Sequence, residues 1–362
     1  MSNFAGLFPS YVIGNRERNW FAGRCYFTEI MRHSRLTLIC LLSILASGST
    51  PTSGQDWNRG EHTVVFSQSF RVAESAFQID FSTGTLELSH DQVVQGIQAD
   101  AEAVARFYGR FPVSRVRVVV VPVMGRHGVL QGTSWGDRAG FPAYVRIRIG
   151  SSTSSEELAN DWIVIHELVH TALSSLPDDQ TWLEEGIASY IEPIVRVQAG
   201  GMSPEIMWAG MVRGLPNGEP QPGDQGLDNT HTWGRTYWGG ALFCLMSDLR
   251  IRRETQNRAG LQDALRAIVA QGATIDTEVP LQRVLEIGDR ATGTRVLQQM
   301  YAQWSQTPVN VDLPTLWQQL GVHDQQGTIT LDAAASLAPV RAAITNAAGA
   351  AALPRRAHVQ GN

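Results

Sequence analysis

The sequence predicts an α+β protein in which a β-rich lobe, residues 55–150, is followed by a helical lobe, residues 151–345. Three observations support this prediction. Residues 115–123 contain an unbroken run of four valines, as in a buried strand. Residues 91–111 repeat apolar side chains at the spacing of an amphipathic helix. After residue 150 the pattern turns helical and stays so almost to the end of the chain.

Local patterning gives the elements of the β-rich lobe. The last of its strands alternates between arginine and β-branched residues, so that Val145, Ile147 and Ile149 face the core. Such a half-exposed strand is expected at an edge of the sheet. The predicted strands are 62–72, 76–81, 115–123 and 143–150.

Capping and breaker signals divide the helical lobe. Ser154 and Glu157 form a capping-box signature, which predicts the start of a helix. A second helix follows Asp179, and Pro193 is expected to kink it. Residues 214–230 are rich in proline and glycine and predict a long loop. The predicted helices are 154–173, 181–197, 237–252, 261–271, 281–287, 291–304, 314–320 and 332–344.

The first 54 residues are interpreted as an N-terminal extension with a targeting segment. An apolar stretch at 36–46 follows two arginines and precedes a run of small residues. This order predicts a signal peptide at about 31–50, and hence an exported protein, periplasmic or secreted. Met31 begins this unit, and whether residues 1–30 are translated is left open. The alternative is a buried core helix, although Pro51 ends the segment abruptly.

Composition excludes several classes of function. All 29 cationic residues are arginine, so no chemistry that needs a lysine amine is possible. The net charge of -5 gives no basic footprint for nucleic acid. No stable membrane span is expected after signal removal, and Cys244 would then be the one remaining cysteine. Residues 346–362 predict a disordered tail, and the oligomeric state is left open.

The pattern that indicates chemistry is His-Glu-Leu-Val-His at 166–170. On a helix, four residues correspond to about 6 Å of rise and about 40° of rotation. His166 and His170 therefore project from one face and can share one Zn²⁺. Glu167 lies about 100° away, where a carboxylate can take a proton from a water on the metal. The alternative is two ordinary helix histidines beside an ion-pairing glutamate.

A catalytic zinc needs a third protein ligand. The next helix carries Trp-Leu-Glu-Glu-Gly-Ile-Ala-Ser-Tyr at 182–190, and its Gly186 and Ala188 are expected to let the two helices approach closely. With the preceding pattern, this segment resembles the gluzincin metallopeptidases, especially the aminopeptidase N-like and glycyl-aminopeptidase-like families. There, His-Glu-x-x-His is followed by Trp-Leu-x-Glu-Gly. The resemblance implies a thermolysin-like two-lobe fold that holds one Zn²⁺ per chain, with Glu185 as third ligand.

Two details refine this resemblance. Glu184 takes the variable place of the family pattern and is interpreted as a surface carboxylate or as one that supports the ligands. Fourteen residues separate His170 from Glu185, fewer than in the large aminopeptidases, and a short turn between the helices is expected to absorb the difference.

A third match lies downstream. Thr-Tyr-Trp-Gly-Gly-Ala at 236–241, with Asp-Leu-Arg-Ile-Arg at 248–252, is similar to a helix start in the same families. The resemblance implies that Tyr237 donates a hydrogen bond to the developing oxyanion. His231 and Arg235 are nearby alternative donors and candidate substrate contacts. The active-site cleft is expected between the two lobes.

The pattern Gly-Thr-Ser-Trp-Gly at 132–136 has two interpretations. It lies where these families bind substrate along an edge strand. It lacks the glutamate of their Gly-x-Met-Glu-Asn pattern, so internal and terminal cleavage both remain open. It also matches the Gly-x-Ser-x-Gly nucleophile elbow, which makes Ser134 the nucleophile of a minor alternative, a serine hydrolase. A strand follows where the elbow needs a helix.

The predicted function is that of a zinc-dependent metallopeptidase with a peptide or protein substrate. The second alternative is a non-catalytic zinc-binding or degenerate peptidase-like binding module. The presence of Glu167 counts against it, because a purely structural zinc is closed by four protein ligands.

Overall fold

The computed structural model describes residues 63–346. The predicted extension at 1–54, with its signal peptide, lies outside the described residues, as does all but the first residue of the predicted tail. A five-stranded mixed sheet comes first in the described chain. Its strands are β1 (Val64–Val72), β2 (Ser75–Ser82), β3 (Arg115–Val123), β4 (Val129–Arg138) and β5 (Phe141–Gly150).

The strand order across the sheet is β1-β2-β3-β5-β4. The two outer pairs, β1 with β2 and β4 with β5, are antiparallel, whereas β3 runs parallel to both of its neighbours. The prediction that the strand near 143–150 lies at an edge is wrong. That strand is β5, which pairs on both sides, and β4 forms the edge instead.

One long helix, α1 (His90–Tyr108), connects β2 to β3 along the chain. It begins at Ser89 with a capping box that includes Gln92, and it ends at Gly109, whose φ of 80° suits glycine. Its apolar stripe and the inward positions of the central strands are buried together in the core. One face of the sheet therefore packs against helices, as the α+β prediction requires.

The rest of the described chain is mainly helical. The helices are α2 (Ser155–Ala159), α3 (Ile163–His170), α4 (Thr181–Ala199), α5 (Pro204–Gly214), α6 (Gly240–Glu254), α7 (Leu261–Ala270), α8 (Leu281–Thr292), α9 (Val296–Trp304), α10 (Leu313–Leu320) and α11 (Ala338–Thr345). Short 3₁₀ turns lie at Asp178–Gln180 and Leu215–Gly218, and a π-helical turn at Gly234–Gly239. No helix within the described residues is both long and apolar enough to cross a membrane.

The helix predicted at 154–173 is two helices. The capping box at its start is present, but α2 ends after Ala159. The Asp161 carboxylate then accepts hydrogen bonds from the backbone N–H groups of Ile163 and Val164, at 2.7 and 3.3 Å. These N–H groups have no partner within the helix, so the Asp161 carboxylate satisfies them where α3 begins.

Other differences are smaller. The second predicted helix is present as α4, which contains Pro193 and continues to Ala199. A β-hairpin of β6 (Val322–Gln325) and β7 (Thr328–Leu331) was not predicted, and the last helix begins only at Ala338. Cys244 is buried in α6 with a free thiol.

Candidate metal centre

Helix α3 presents two imidazoles on one face. The ring centroids of His166 and His170 are 4.8 Å apart, one helical turn along α3. The remaining side chains of the turn are buried against the sheet and neighbouring helices, so the helix is fixed in rotation. These buried apolar residues are Val164, Ile165, Leu168 and Val169. The helical spacing expected from the sequence therefore brings the two histidines together.

Helix α4 adds a carboxylate between them. Glu185 Oε2 lies 3.2 Å from His166 Nε2 and 3.5 Å from His170 Nε2. Two ligands about 2.05 Å from a tetrahedral zinc ion are separated by about 3.3 Å. The observed separations match that value, and the ligand atoms all lie within 4.8 Å of one another. Among the described residues, this is the one cluster of its kind.

Electrostatics also suit a divalent cation. Burial raises the pKa of Glu185, but the adjacent His170 and His166 outweigh burial and hold that pKa below its ordinary value. Burial lowers the pKa of His170, but the charge and hydrogen bond of Glu185 outweigh it and raise that pKa to about 9. The cluster thus attracts positive charge strongly, and a metal ion can take the place of the bound proton.

Glu167 stands beside the cluster rather than in it. Its side chain is buried against strand β4, where Ser134 Oγ donates to Glu167 Oε2 at 2.6 Å. Gly132 on the same strand faces the same side chain, and a Cβ there would lie 2.3 Å from Glu167 Cγ. The structure places this carboxylate between the edge strand β4 and helix α3, where the sequence analysis expects the cleft.

Tyr237 reaches the site from a third element. It lies in the π-helical turn before α6, and its ring is 6.4 Å from the His166 ring, centroid to centroid, at an angle of 24°. π-Helical turns widen a helix locally and occur frequently at functional sites. The structure therefore brings together His166, His170, Glu185, Glu167 and Tyr237, and the roles expected for them stay predictions.

No family model matches the sequence, and a search of curated proteins found no match. Solved structures do match. An aminopeptidase N family protein from Idiomarina loihiensis is 14% identical, with a TM-score of 0.51, over 72% of this chain and 50% of that one. The chain has the aminopeptidase N family fold.

Two more solved structures match over similar shares of this chain. An M1 zinc metallopeptidase from Deinococcus radiodurans is 17% identical, with a TM-score of 0.43, over 66% of this chain and 50% of that one. Yeast LTA4 hydrolase is 12% identical, with a TM-score of 0.42, over 68% of this chain and 40% of that one. The chain thus spans half or less of the length of these structures.

Within the aminopeptidase N family fold, Gly186 packs differently from the expectation. It was expected to bring α3 and α4 together. Its ideal Cβ would instead lie 2.3 Å from the backbone carbon of Gly240, at the start of α6. A Cβ on Gly240 would in turn lie 2.1 Å from the carbonyl oxygen of Trp182. This glycine pair holds the Tyr237 turn close to the ligand helix α4.

Glu184 supports the turn that precedes it. It is buried, and its Oε1 accepts a hydrogen bond from the backbone N–H of Leu176 at 2.6 Å. The short connection between α3 and α4 is therefore tied to α4 itself. This contact agrees with the supporting role expected for Glu184.

Arg235 has structural partners within the protein. Arg235 is only 2% exposed, and its Nε lies 2.7 Å from Asp224 Oδ2, while Nη1 donates to the carbonyl of Gly218. The expectation that Arg235 contacts substrate is wrong, because its guanidinium anchors the loop at 214–230 inside the protein. His231 is exposed, and its role as a substrate contact stays a prediction.

Asp248, in the downstream match at 248–252, also joins elements. Its carboxylate accepts hydrogen bonds from Tyr190 of α4 at 2.9 Å and from Arg252 at 2.8 Å. It also accepts from the backbone N–H of Leu261, the first residue of α7, at 2.8 Å. This part of the match stabilises the packing of three helices.

Ser134 is placed in the middle of an edge strand. The strand turns at Asp137–Gly140 into β5, so the strand-turn-helix context of a nucleophile elbow is absent. The sequence analysis missed the contacts of Gly132 and Ser134 with Glu167. The signal was present in the small residues at every second position of 132–136, which share one face of a strand.

Proposed function

We propose that this chain is a zinc-dependent metallopeptidase of the gluzincin type, which hydrolyses peptide bonds in peptide or protein substrates. The observation that carries the proposal is the cluster of two imidazoles and one carboxylate with a second carboxylate, Glu167, beside it. A structural zinc would be closed by four protein ligands. Three ligands with an adjacent base are the composition of a hydrolytic site.

The roles of the residues follow from their positions. His166, His170 and Glu185 would hold Zn²⁺, which supplies a Lewis acid that makes water nucleophilic near neutral pH. Glu167 accepts a proton from the attacking water and later delivers it to the leaving amine. Tyr237 donates a hydrogen bond to the oxygen on which negative charge develops.

The wider proposal includes a location and a substrate path. The signal-like segment at 31–50 supports action outside the cytoplasm. A thermolysin-like arrangement places the substrate in the cleft between the edge strand β4 and helices α3 and α4. The acidic net charge of -5 and the lack of lysine favour peptide over nucleic acid as substrate.

Glutamate-to-glutamine variants test the proposal, because they keep side-chain size and remove charge. Glu167→Gln is expected to bind one zinc per chain but to lose about 100-fold or more in kcat. Glu185→Gln should lose zinc, whereas its neighbour Glu184→Gln is the matched control and should keep it. Zinc is measured by elemental analysis, and cleavage of a peptide library by mass spectrometry.

Two results would contradict the proposal. Cleavage by Glu167→Gln at the parental rate would contradict the assignment of Glu167 as general base. Stoichiometric zinc in a parent protein that cleaves no peptide would favour the non-catalytic binding module. The positions of the cuts in an active parent distinguish internal from terminal cleavage.

A further inference from the structure

Ser134 occupies an inward position in the middle of β4. The residue is only 7% exposed, and it pairs across the sheet with Val145 of β5. The inward neighbours on β5, Ala143 and Ile147, are apolar and fully buried. An alanine or valine would fit this environment, so packing alone gives no reason for a hydroxyl here.

The hydroxyl is directed at one residue. Ser134 Oγ lies 2.6 Å from Glu167 Oε2 and 2.9 Å from the backbone carbonyl oxygen of Glu167. Both are acceptors, so the serine donates. The shorter distance falls in the range of a charge-assisted O–H···O⁻ hydrogen bond. The carbonyl belongs to the last turn of α3, where helix carbonyls lack partners further along the chain.

Gly132 completes the contact from the same strand. Its missing Cβ leaves room for the Glu167 side chain, since an added Cβ would lie 2.6 Å from Oε1 and 2.3 Å from Cγ. Two successive inward positions of β4 therefore touch the same carboxylate, one by a hydrogen bond and one by close packing. A glutamate side chain with several rotatable bonds is held in one conformation.

We infer that Ser134 is a positioning residue for Glu167, fixing the carboxylate by donating to Oε2 and keeping its own proton throughout the reaction. The inference rests on the proposed function, since the benefit to the protein is a general base held ready for its proton transfer. A misplaced base is costly because proton transfer requires hydrogen-bond distance and alignment. The serine itself attacks nothing.

The test compares Ser134→Ala with Ser134→Thr, which keeps the hydroxyl, and with Ser75→Ala as matched control. Ser75 is a buried serine of β2 in the same sheet, and its hydroxyl donates to the carbonyl of Val113 at 2.7 Å. Ser134→Ala is expected to lose roughly tenfold to a hundredfold in kcat. Its KM should stay within about twofold and its zinc content at one per chain, since the ligands are untouched. Ser134→Thr should recover most of the loss, and Ser75→Ala should keep the parental kcat.

Crystal structures of zinc-loaded parent and Ser134→Ala give a readout that needs no activity. Glu167 should occupy one rotamer in the parent and leave it, or split between rotamers, in Ser134→Ala. An unchanged rotamer together with an unchanged kcat overturns the inference. A loss of activity in proportion to lost zinc or lost folded protein also overturns it, because the serine would then support only the fold.

Failure of the proposed function is separable from failure of this inference. If the parent cleaves nothing, or Glu167→Gln cleaves normally, the peptidase assignment falls whatever Ser134 does. If the parent is active, Glu167→Gln is inactive and Ser134→Ala is fully active, only the positioning role is lost.

Discussion

Replacing Gly132 with alanine tests how tightly strand β4 packs against the proposed general base. The added methyl would lie 2.3 Å from Glu167 Cγ, whereas ordinary contact begins at 3.4 Å. The carboxylate would therefore have to move by about 1 Å, and a displacement of that size can lower a catalytic rate about 100-fold. This corresponds to about 2.7 kcal/mol of transition-state stabilisation. Gly132 is not among the residues with positive φ, so the backbone itself accepts alanine.

The assay separates displacement from unfolding. Gly132→Ala should bind one zinc per chain and fall in kcat by about 100-fold. The matched control is Gly201→Ala, whose added methyl would meet only the Arg196 carbonyl, at an ordinary 3.7 Å. That variant should keep its parental kcat and thermal midpoint. A folded, zinc-loaded Gly132→Ala with full activity would refute the claim that Glu167 acts from its observed position.

Two further predictions concern stability. Burial outweighs the ion pair of Glu192 with Arg196 and raises the pKa of Glu192 to about 8, from 4.5 in the unfolded chain. At pH values between these two, the Glu192 carboxyl is deprotonated in the unfolded chain but protonated in the folded protein. The free energy of unfolding should therefore fall by up to about 1.4 kcal/mol per pH unit as pH rises. Glu192→Gln should remove that loss, so its advantage over the parent in urea titrations should grow from pH 5 to pH 8; a constant difference would contradict the prediction. Gly186→Ala should destabilise by about 1–3 kcal/mol, since its methyl would lie 2.3 Å from the Gly240 backbone. A thermal midpoint equal to the parent's would contradict this prediction, because α4 and α6 would then move apart without any loss of stability.

Periodicity predicted those parts of the fold and site that depend on neighbours in sequence. The spacing of His166 and His170 needs only helical geometry, and their rings are adjacent in the structure. The capping box at Ser154 and the long helix α4 are likewise local features, and both are present. The α+β class follows from the same local patterns.

Features that depend on distant partners were missed or misassigned. The edge position of β4 is set by which strands pair with β5, and alternation along β5 cannot reveal that. Its nearness to Tyr237 makes Arg235 a candidate substrate contact in the sequence, whereas its buried partner, Asp224, lies eleven positions earlier in an irregular loop.

The Gly-x-Ser-x-Gly spacing has an explanation in strand geometry that the nucleophile-elbow interpretation lacks. Positions two apart share one face of a strand, so 132, 134 and 136 all face inward on β4. Gly132 and Ser134 meet Glu167, and a Cβ on Gly136 would overlap the carbonyl oxygen of Ile275. Ile275 in turn donates its backbone N–H to the carbonyl of Thr171, the residue that follows α3. These three inward positions are small because α3 and the segment packed on its end approach β4 closely. The pattern that suggested a serine nucleophile therefore describes a strand face shaped around the Glu167 carboxylate.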